Sequence, residues 1–90
     1  MVEQREMMNK LKEALGNNSV IMGTKETTKN LKLKKVKLVI IANNVQDSVR
    51  KDIVKYSELS ETKIEDFDGT AKELGIMCGK PFPVAVLSIK

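Results

Sequence analysis

The sequence contains no histidine, no tryptophan and a single cysteine, Cys78. These absences exclude a histidine-based catalytic triad, a disulfide within the chain and nearly every zinc site built from the usual ligand sets. Because Cys78 lies on the apolar side of a predicted helix with no base beside it in sequence, we interpret it as a buried structural thiol. The sequence therefore predicts no metal, no cofactor and no enzymatic activity.

Aromatic residues and long apolar runs are also scarce. Tyr56, Phe67 and Phe82 are the three aromatic residues of the chain, too few for a broad platform on which single-stranded bases stack. No apolar run approaches the roughly 20 residues that span a bilayer. The first sixteen residues carry glutamates and an amphipathic period where an export signal would need an uninterrupted apolar stretch. We expect a cytoplasmic protein with no membrane partner.

Positive charge is abundant and locally concentrated. The 90 residues, 41% hydrophobic and 31% charged, fit one domain over residues 1–90. Sixteen basic residues against twelve acidic ones give a net charge of +4, which favours a polyanionic partner. Between residues 25 and 37 only Glu26 opposes a run of lysines. These are Lys25, Lys29, Lys32, Lys34, Lys35 and Lys37.

Helical periodicity recurs four times along the chain. We expect helices over residues 3–15, over residues 25–33, from Asp47 or Ser48 onward, and after Thr70. Thr24 is the candidate N-cap of the second helix, and Thr70 with Glu73 has the spacing of a capping box. The apolar stripe of the third helix is predicted to consist of Val49, Ile53, Tyr56 and Leu59.

Four short apolar segments alternate with these helices. Strands are expected over residues 19–22, 36–42, 63–67 and 84–89. Residues 36–42 are almost continuously aliphatic, which is typical of a strand covered on both faces, whereas residues 63–67 are more polar and fit an edge. The alternation predicts an α/β fold: a three-layer α/β/α sandwich with a four-stranded mixed sheet, in a single domain.

The ends of the first two strands offer a candidate ligand site. If these strands are parallel, residues 23–25 and Asn43 with Asn44 lie on the same rim of the sheet. A glycine before a threonine-led helix start has an anion-binding geometry. Lys25, Lys29 and Lys32, spaced at i, i+4 and i+7, share one helix face that could follow a phosphate backbone. The alternatives are an ordinary helix start, a solvated lysine face and a pair of turn-forming asparagines.

The segment CGKPFPV, residues 78–84, is unusual because two prolines flank Phe82. They restrict the backbone to extended conformations and could hold the ring where an unstacked base lies. Alternatively, Phe82 fills the end of the core.

Two long segments carry a resemblance to a known family. VIMGTKETTKNLKLKKVKLVIIANN and DIVKYSELSETKIEDFDGTAKELGIMCGKPFPVAVLSI resemble the archaeal and eukaryotic ribosomal protein family L-thirty-e, of the kink-turn RNA-binding superfamily typified by L-seven-Ae. The resemblance covers about residues 10–89. Its specific parts are the G-x-K-x-T-x-K start of the second helix, the strand ending in A-N-N, and E-L-G followed by C-G-K and an aromatic residue.

The resemblance implies that an α/β/α sandwich grips a kinked RNA helix with three loops. Gly23 and Lys25 match the first loop and helix start, and Lys29 matches the lysine one turn later. Asn44 matches the asparagine that reads a base, and Phe82 matches the aromatic residue of the third loop. The predicted RNA-binding residues are Gly23, Thr24, Lys25, Glu26, Lys29, Asn43, Asn44, Gly79, Lys80 and Phe82.

The function implied by the resemblance is that of a non-enzymatic RNA-binding protein of the large ribosomal subunit, recognising a kink-turn or kinked internal loop in ribosomal RNA. Neighbouring ribosomal proteins are possible partners, and the protein is expected to be ribosome-associated, and monomeric off the ribosome. One alternative is a free-standing kink-turn-binding paralogue that acts on a guide RNA or leader RNA. Others are a small nucleotide-binding enzyme, although the phosphate-loop and dinucleotide fingerprints are absent, and a protein-binding adaptor that uses the last strand as a sheet edge.

Overall fold

The computed structural model describes the backbone of residues 2–90 and the side chains of residue 6 and residues 8–90. Helices and strands alternate strictly, as predicted. They are α1 (Val2–Gly16), β1 (Val20–Met22), α2 (Thr24–Lys32), β2 (Leu38–Ala42), α3 (Asp47–Ser60), β3 (Lys63–Phe67), α4 (Ala71–Met77) and β4 (Val86–Ile89). No helix in the described part of the chain is long and apolar enough to cross a membrane.

The strands form one mixed sheet in the order β1-β4-β2-β3. β2 pairs with β3 in parallel, and β4 is antiparallel to both of its neighbours, β1 and β2. β1, β2 and β3 therefore run in the same direction, although β4 separates the first two. The edge position predicted for residues 63–67 is confirmed. The adaptor hypothesis is wrong in its premise, because β4 is hydrogen-bonded on both sides and offers no free edge.

Apolar side chains cover both faces of the sheet, because successive residues of a strand point to opposite sides. All five residues of β2 are buried, which confirms its central position. Leu38, Ile40 and Ala42 pack under α1 and α4, together with Leu11 and Leu74. Val39 and Ile41 pack under α2 and α3, together with Leu31 and Ile53. The predicted three-layer α/β/α sandwich is confirmed.

One buried hydrogen bond fixes α2 on the sheet. Thr27 Oγ1 donates to Ser88 Oγ at 3.3 Å, and both residues are completely buried. Because a buried hydroxyl without a partner would be costly, this pair favours a single placement of the first turn of α2 over β4.

Helix starts differ from the sequence predictions at two places. Thr24 is the first residue of α2, and its N-cap is Gly23, whose φ of 106° suits glycine. The N-cap of α3 is Gln46 rather than Asp47 or Ser48, and neither α2 nor α3 has a side-chain cap. Gly23 directly follows β1, and its N–H donates to the Val86 carbonyl at 2.9 Å, so the sheet holds this residue outside the helix. The capping box at the start of α4 is confirmed.

Three strands are shorter than predicted, whereas β3 has the predicted bounds, and one predicted core residue is exposed. The last strand begins at Val86, because Val84 N–H donates to the Ala71 carbonyl at 2.9 Å and so binds α4 instead of a neighbouring strand. Leu59 is 68% exposed, because the buried face of α3 runs through Ile53 and Ser57, and Leu59 lies on the opposite side of the helix from Ser57.

Candidate nucleic-acid interface

Four loops meet at one end of the sheet. The carboxyl ends of β1, β2 and β3 and the start of β4 lie there, because β4 runs opposite to the others. We call this surface the carboxyl rim, and it comprises residues 23–25, 43–46, 68–71 and 82–85. The predicted common rim is therefore real, with β4 inserted between the two strands that define it. Ligands of open α/β sheets bind at such ends.

Backbone hydrogen bonds join the rim loops on the β1 side. Gly23 N–H donates to the Val86 carbonyl at 2.9 Å, and Ala42 N–H donates to the Ala85 carbonyl at 2.8 Å. The residues before β4 are thereby held between the start of α2 and the end of β2. This arrangement fixes the spacing of three loops without any side chain.

Asn44 joins the loop after β2 to the first turn of α4. Its Oδ1 accepts a hydrogen bond from Ala71 N–H at 2.9 Å. This N–H belongs to the first residue of the helix and has no partner within the helix itself. Because only the oxygen of the Asn44 side-chain amide can accept a hydrogen bond, this contact also fixes the orientation of that amide. The Nδ2 group has no hydrogen-bond partner among the described residues, so both of its donors remain available.

Asn43 is exposed and differs from its neighbour. Its backbone N–H donates to the Gly69 carbonyl at 2.9 Å, which ties the loop to the turn after β3. Its side chain makes no hydrogen bond within the described structure. Of the two asparagines, only Asn44 therefore has an oriented amide.

The start of α2 contributes backbone donors and charge. The first hydrogen bond of the helix runs from Thr27 N–H to the Gly23 carbonyl, so the N–H groups of Thr24, Lys25 and Glu26 open toward the rim. A Cβ built on Gly23 meets nothing within 4 Å, so the approach to these donors is open.

Lys25 and Lys29 are exposed and border a shallow groove along the outer face of α2. Lys32 borders the same groove, but its Nζ lies 4.8 Å from the centre of the Tyr56 ring, a cation–π contact. Glu26 is exposed on the first turn, where the helix dipole favours its negative charge. Lys25 and Lys29 therefore make no cation–π contact within the described structure, whereas Lys32 contacts Tyr56 of α3.

Phe82 does not fill the end of the core, because it is 51% exposed. Its backbone lies directly on α4: a Cβ added to Gly75 would come within 2.1 Å of the Phe82 carbonyl oxygen. Only glycine therefore allows this loop to approach the helix so closely. The ring borders a groove with Lys72, Ile76, Lys80 and the two flanking prolines.

Gly79 and Lys80 lie farther from the rim than the other candidates. Gly79 has a φ of 70° and Lys80 N–H donates to the Gly75 carbonyl at 3.0 Å, which together end α4 in a Schellman motif. Asn44 contacts the first residue of α4, whereas these two follow its last turn, roughly 9 Å away at 1.5 Å per residue. Lys80 nevertheless shares the groove of Phe82.

Sequence reasoning missed two residues of that groove, Lys72 and Ile76. Ile76 is 66% exposed although it is a large apolar side chain. The available signal was its position on α4, outside the predicted apolar side formed by Leu74, Met77 and Cys78. The missed link between Asn44 and Ala71 had no sequence signal, since 27 residues separate the partners.

Cys78 has no role at this surface. It is 8% exposed and packs in the core under α1 and α4. Burial raises the pKa of its thiol above the ordinary value, although the nearby Lys80 ammonium works in the opposite direction. The thiol therefore stays protonated near neutral pH, and the reactive thiolate is disfavoured.

Comparison with known proteins identifies relatives of this chain. The model of the family described as "Ribosomal protein L7Ae/L30e/S12e/Gadd45 family" matches residues 5–90. The large ribosomal subunit protein eL30 of Methanococcus maripaludis strain C7 is 44% identical over 79 residues, which are 88% of this chain and 74% of the relative. The eL30 protein of Sulfurisphaera tokodaii is 36% identical over 89 residues, 99% of this chain and 84% of the relative.

Two solved structures share the fold. The 15.5kD RNA binding protein of Giardia lamblia superimposes with a TM-score of 0.79 at 26% identity, covering 93% of this chain and 70% of that one. A protein of unknown function from Bacillus halodurans superimposes with a TM-score of 0.83 at 18% identity, covering 92% and 82%, and this match shows the fold alone. With a family model spanning nearly all of the chain and eL30 relatives at 36–44% identity, this protein belongs to the ribosomal protein L7Ae/L30e/S12e/Gadd45 family.

Proposed function

We propose that the protein is a non-enzymatic component of the large ribosomal subunit and that its carboxyl rim binds a kink-turn or kinked internal loop of ribosomal RNA. The observation that carries this proposal is the gathering of an open helix start, an oriented amide and an exposed aromatic ring at one end of the sheet. The eL30 relatives support the ribosomal part, and the RNA-binding protein of similar structure supports the nature of the ligand.

The start of α2 is suited to phosphates. Its unpaired N–H groups and the positive end of the helix dipole attract an anion, and Gly23 carries no side chain to block it. Lys25 and Lys29 extend this positive surface along the next turn. A kinked RNA brings phosphates close together, so a surface that neutralises several of them stabilises the kink.

Asn44 is suited to a base edge. An asparagine amide can donate and accept at once, but here Oδ1 is occupied by Ala71 N–H. The free Nδ2 donors are then the groups that would meet a base acceptor. Because Oδ1 is held by the helix, the donor is oriented before RNA binds, which lowers the entropic cost of recognition.

Phe82 and its groove are suited to an unstacked base. The exposed ring offers a stacking face, and Lys72 and Lys80 beside it can contact the phosphates of the same nucleotide. Gly79 contributes the chain reversal that places Lys80 there. Single-stranded bases in kinked loops are the usual targets of sequence-specific RNA recognition.

The proposal also covers the location, the protein neighbours and the oligomeric state of the chain. Assembly into the large subunit would place it on ribosomes in the cytoplasm, beside neighbouring ribosomal proteins and as a monomer when free. Crosslinking in cells, followed by sequencing of the attached RNA, tests this directly. Large-subunit ribosomal RNA is the expected result. A guide RNA or leader RNA would instead indicate a free-standing paralogue, and the absence of RNA would overturn the proposal.

Binding in vitro tests the kink. We expect the protein to bind an RNA with a kinked internal loop more tightly than a fully paired duplex of the same length, with affinity falling as salt rises. Equal affinity for both RNAs would contradict recognition of the kink. Melting shifts with mononucleotides serve as the control for a nucleotide-binding enzyme, and no shift is expected.

A further inference from the structure

A second basic surface lies at the opposite end of the sheet. A cleft there, which we call the basal cleft, is lined by four lysines, one glutamate and residues at the strand ends, and none of its lysines belongs to the carboxyl rim. The lysines are Lys10, Lys37, Lys63 and Lys90, and the acidic residue is Glu13.

The basal cleft and the carboxyl rim face opposite ways. Leu38, which begins β2, lines the cleft, whereas Ala42, which ends β2, leads into the rim. Four residue steps along a strand separate them by roughly 13 Å. A single phosphate group therefore cannot contact both surfaces.

Backbone hydrogen bonds hold the walls of the cleft. Lys37 N–H donates to the Ile89 carbonyl at 2.7 Å, and Lys90 N–H donates to the Ser19 carbonyl at 2.9 Å. The lysines come from α1 and from the ends of three different strands, so they converge only in the folded chain. A solvated face of one helix does not explain this arrangement.

The charges of the cleft are compensated only in part, because four lysines are set against Glu13 in the lining and Glu65, which pairs with Lys63. Lys63 Nζ lies 3.2 Å from Glu65 Oε1, in a pair whose lysine side chain is 67% exposed. Lys10, Lys37 and Lys90 form no ion pair with a carboxylate of the described residues. All four lysines are exposed. Like charges brought together in a cleft raise the local concentration of anions.

The lining favours RNA over a protein partner. Protein interfaces are anchored by exposed large apolar or aromatic side chains. Those of this chain, among the described residues, are Leu33, Leu59, Ile76 and Phe82, and none of them lines the cleft. Lysine heads on mobile stems instead fit a phosphate backbone, which binds without base contacts.

We propose that the basal cleft binds the phosphate backbone of a second RNA segment, so that the protein bridges two RNA segments held at opposite ends of its sheet. This inference rests on the proposed function in that the first segment is the kinked RNA at the carboxyl rim. The second contact is independent of sequence, because the cleft offers charge and no oriented base reader.

The test uses the full chain loaded with one equivalent of a kinked-loop RNA and a labelled straight RNA duplex as the second segment. Sedimentation or native gel mobility measures the ternary complex. The cleft variant is the double substitution Lys10→Gln with Lys37→Gln. The matched control is Lys51→Gln with Lys55→Gln, which removes the same charge from exposed positions on α3. Melting curves verify that both variants fold.

We expect the parent and the control to form the ternary complex and the cleft variant to lose most of it, with the salt slope of duplex binding lowered by about 2. Equal losses in the two double variants would overturn the inference. So would tighter binding of a poly-glutamate peptide than of the duplex at equal charge and equal salt, since that indicates an acidic protein partner.

Failure of the proposed function gives a different pattern. In that case the parent does not distinguish kinked from straight RNA, yet the cleft and control variants can still be compared by direct duplex binding. If the cleft variant then binds the duplex with the same affinity as the control variant, the basal cleft is not an RNA-binding site, whatever the outcome at the carboxyl rim.

Discussion

The carboxyl rim and the basal cleft are built from the same sheet but differ in chemistry. The rim combines an open helix start, an oriented asparagine and an exposed aromatic ring, each held by backbone contacts. The cleft presents lysines from separate elements. Oriented donors and a stacking face can distinguish one RNA shape from another, whereas lysines alone attract any phosphate backbone. In the proposed function, specificity would therefore come from the loop geometry of the rim rather than from net charge.

The largest expected effect comes from disturbing the rim geometry through Gly75→Ala. The new Cβ would lie 2.1 Å from the Phe82 carbonyl oxygen, so the loop must move. We expect a loss of unfolding free energy near the upper end of the roughly 1–3 kcal/mol seen for overpacking, and weaker binding of kinked RNA. Chemical denaturation and RNA titration measure the two effects. Gly16→Ala is the control, because its Cβ meets nothing within 4 Å. Equal stability of the two variants would refute the close approach.

Asn44→Asp separates base reading from the structural role of the same side chain. Aspartate keeps the acceptor for Ala71 N–H and places a negative charge at the start of α4, so folding stability should be retained. It removes the free donors, and we expect kinked-RNA binding to weaken by at least roughly 1–3 kcal/mol. Isothermal titration measures the binding.

Asn43→Asp is the matched control for that substitution, since it adds the same charge one residue away without an oriented amide. It should weaken binding less. If Asn43→Asp is the more harmful change, or if both variants bind like the parent, the assignment of Asn44 as base reader is wrong.

Phe82→Ala removes the stacking face. We expect a loss of about 1–3 kcal/mol in affinity for kinked RNA, as for aromatic stacking on single-stranded bases. Because the ring is 51% exposed, the loss in stability should be well below the roughly 3–5 kcal/mol that a buried phenylalanine contributes. Paired binding and denaturation measurements decide, and a loss confined to stability would make Phe82 a structural residue.

The smallest effects are expected at Lys25→Gln and Lys29→Gln. Each should lower the salt slope of binding by about 1 and weaken kinked and straight RNA by similar factors, with little change in melting temperature. Titrations at several salt concentrations measure the slopes. Lys55→Gln, on the outer face of α3, is the control. If both α2 variants keep the salt slope of the parent, then Lys25 and Lys29 do not contact phosphates.

Much of the fold followed from local patterns in the sequence. The continuous aliphatic run of β2 predicted a central strand, and the spacing of Thr70 and Glu73 predicted a capping box. Periodicity was less informative at element ends. Leu59 was predicted to lie in the apolar stripe of α3 but lies on its exposed side, and Thr24 resembles an N-cap although Gly23 occupies that position.

The candidate site was predictable as a set of residues but not as an arrangement. Strand ends and flanking prolines pointed to the asparagine pair and to Phe82, and family resemblance selected Asn44 within the pair. Neither the hydrogen bond to Ala71 nor the exposure of the ring could be deduced from neighbouring residues. Lys72 and Ile76 were missed, because what makes them part of the groove is the loop that returns along α4.

The sequence by itself determined the alternation of helices and strands, the two-sided burial of the central strand and the positive charge of the chain, since each depends on residue type and on periods of a few positions. Tertiary structure decided the rest. It inserted β4 between β1 and β2, oriented the Asn44 amide and brought lysines from α1 and three strand ends into one cleft. These features join residues far apart in the chain, and their geometry is fixed by strand register and helix packing, which no short stretch of sequence specifies.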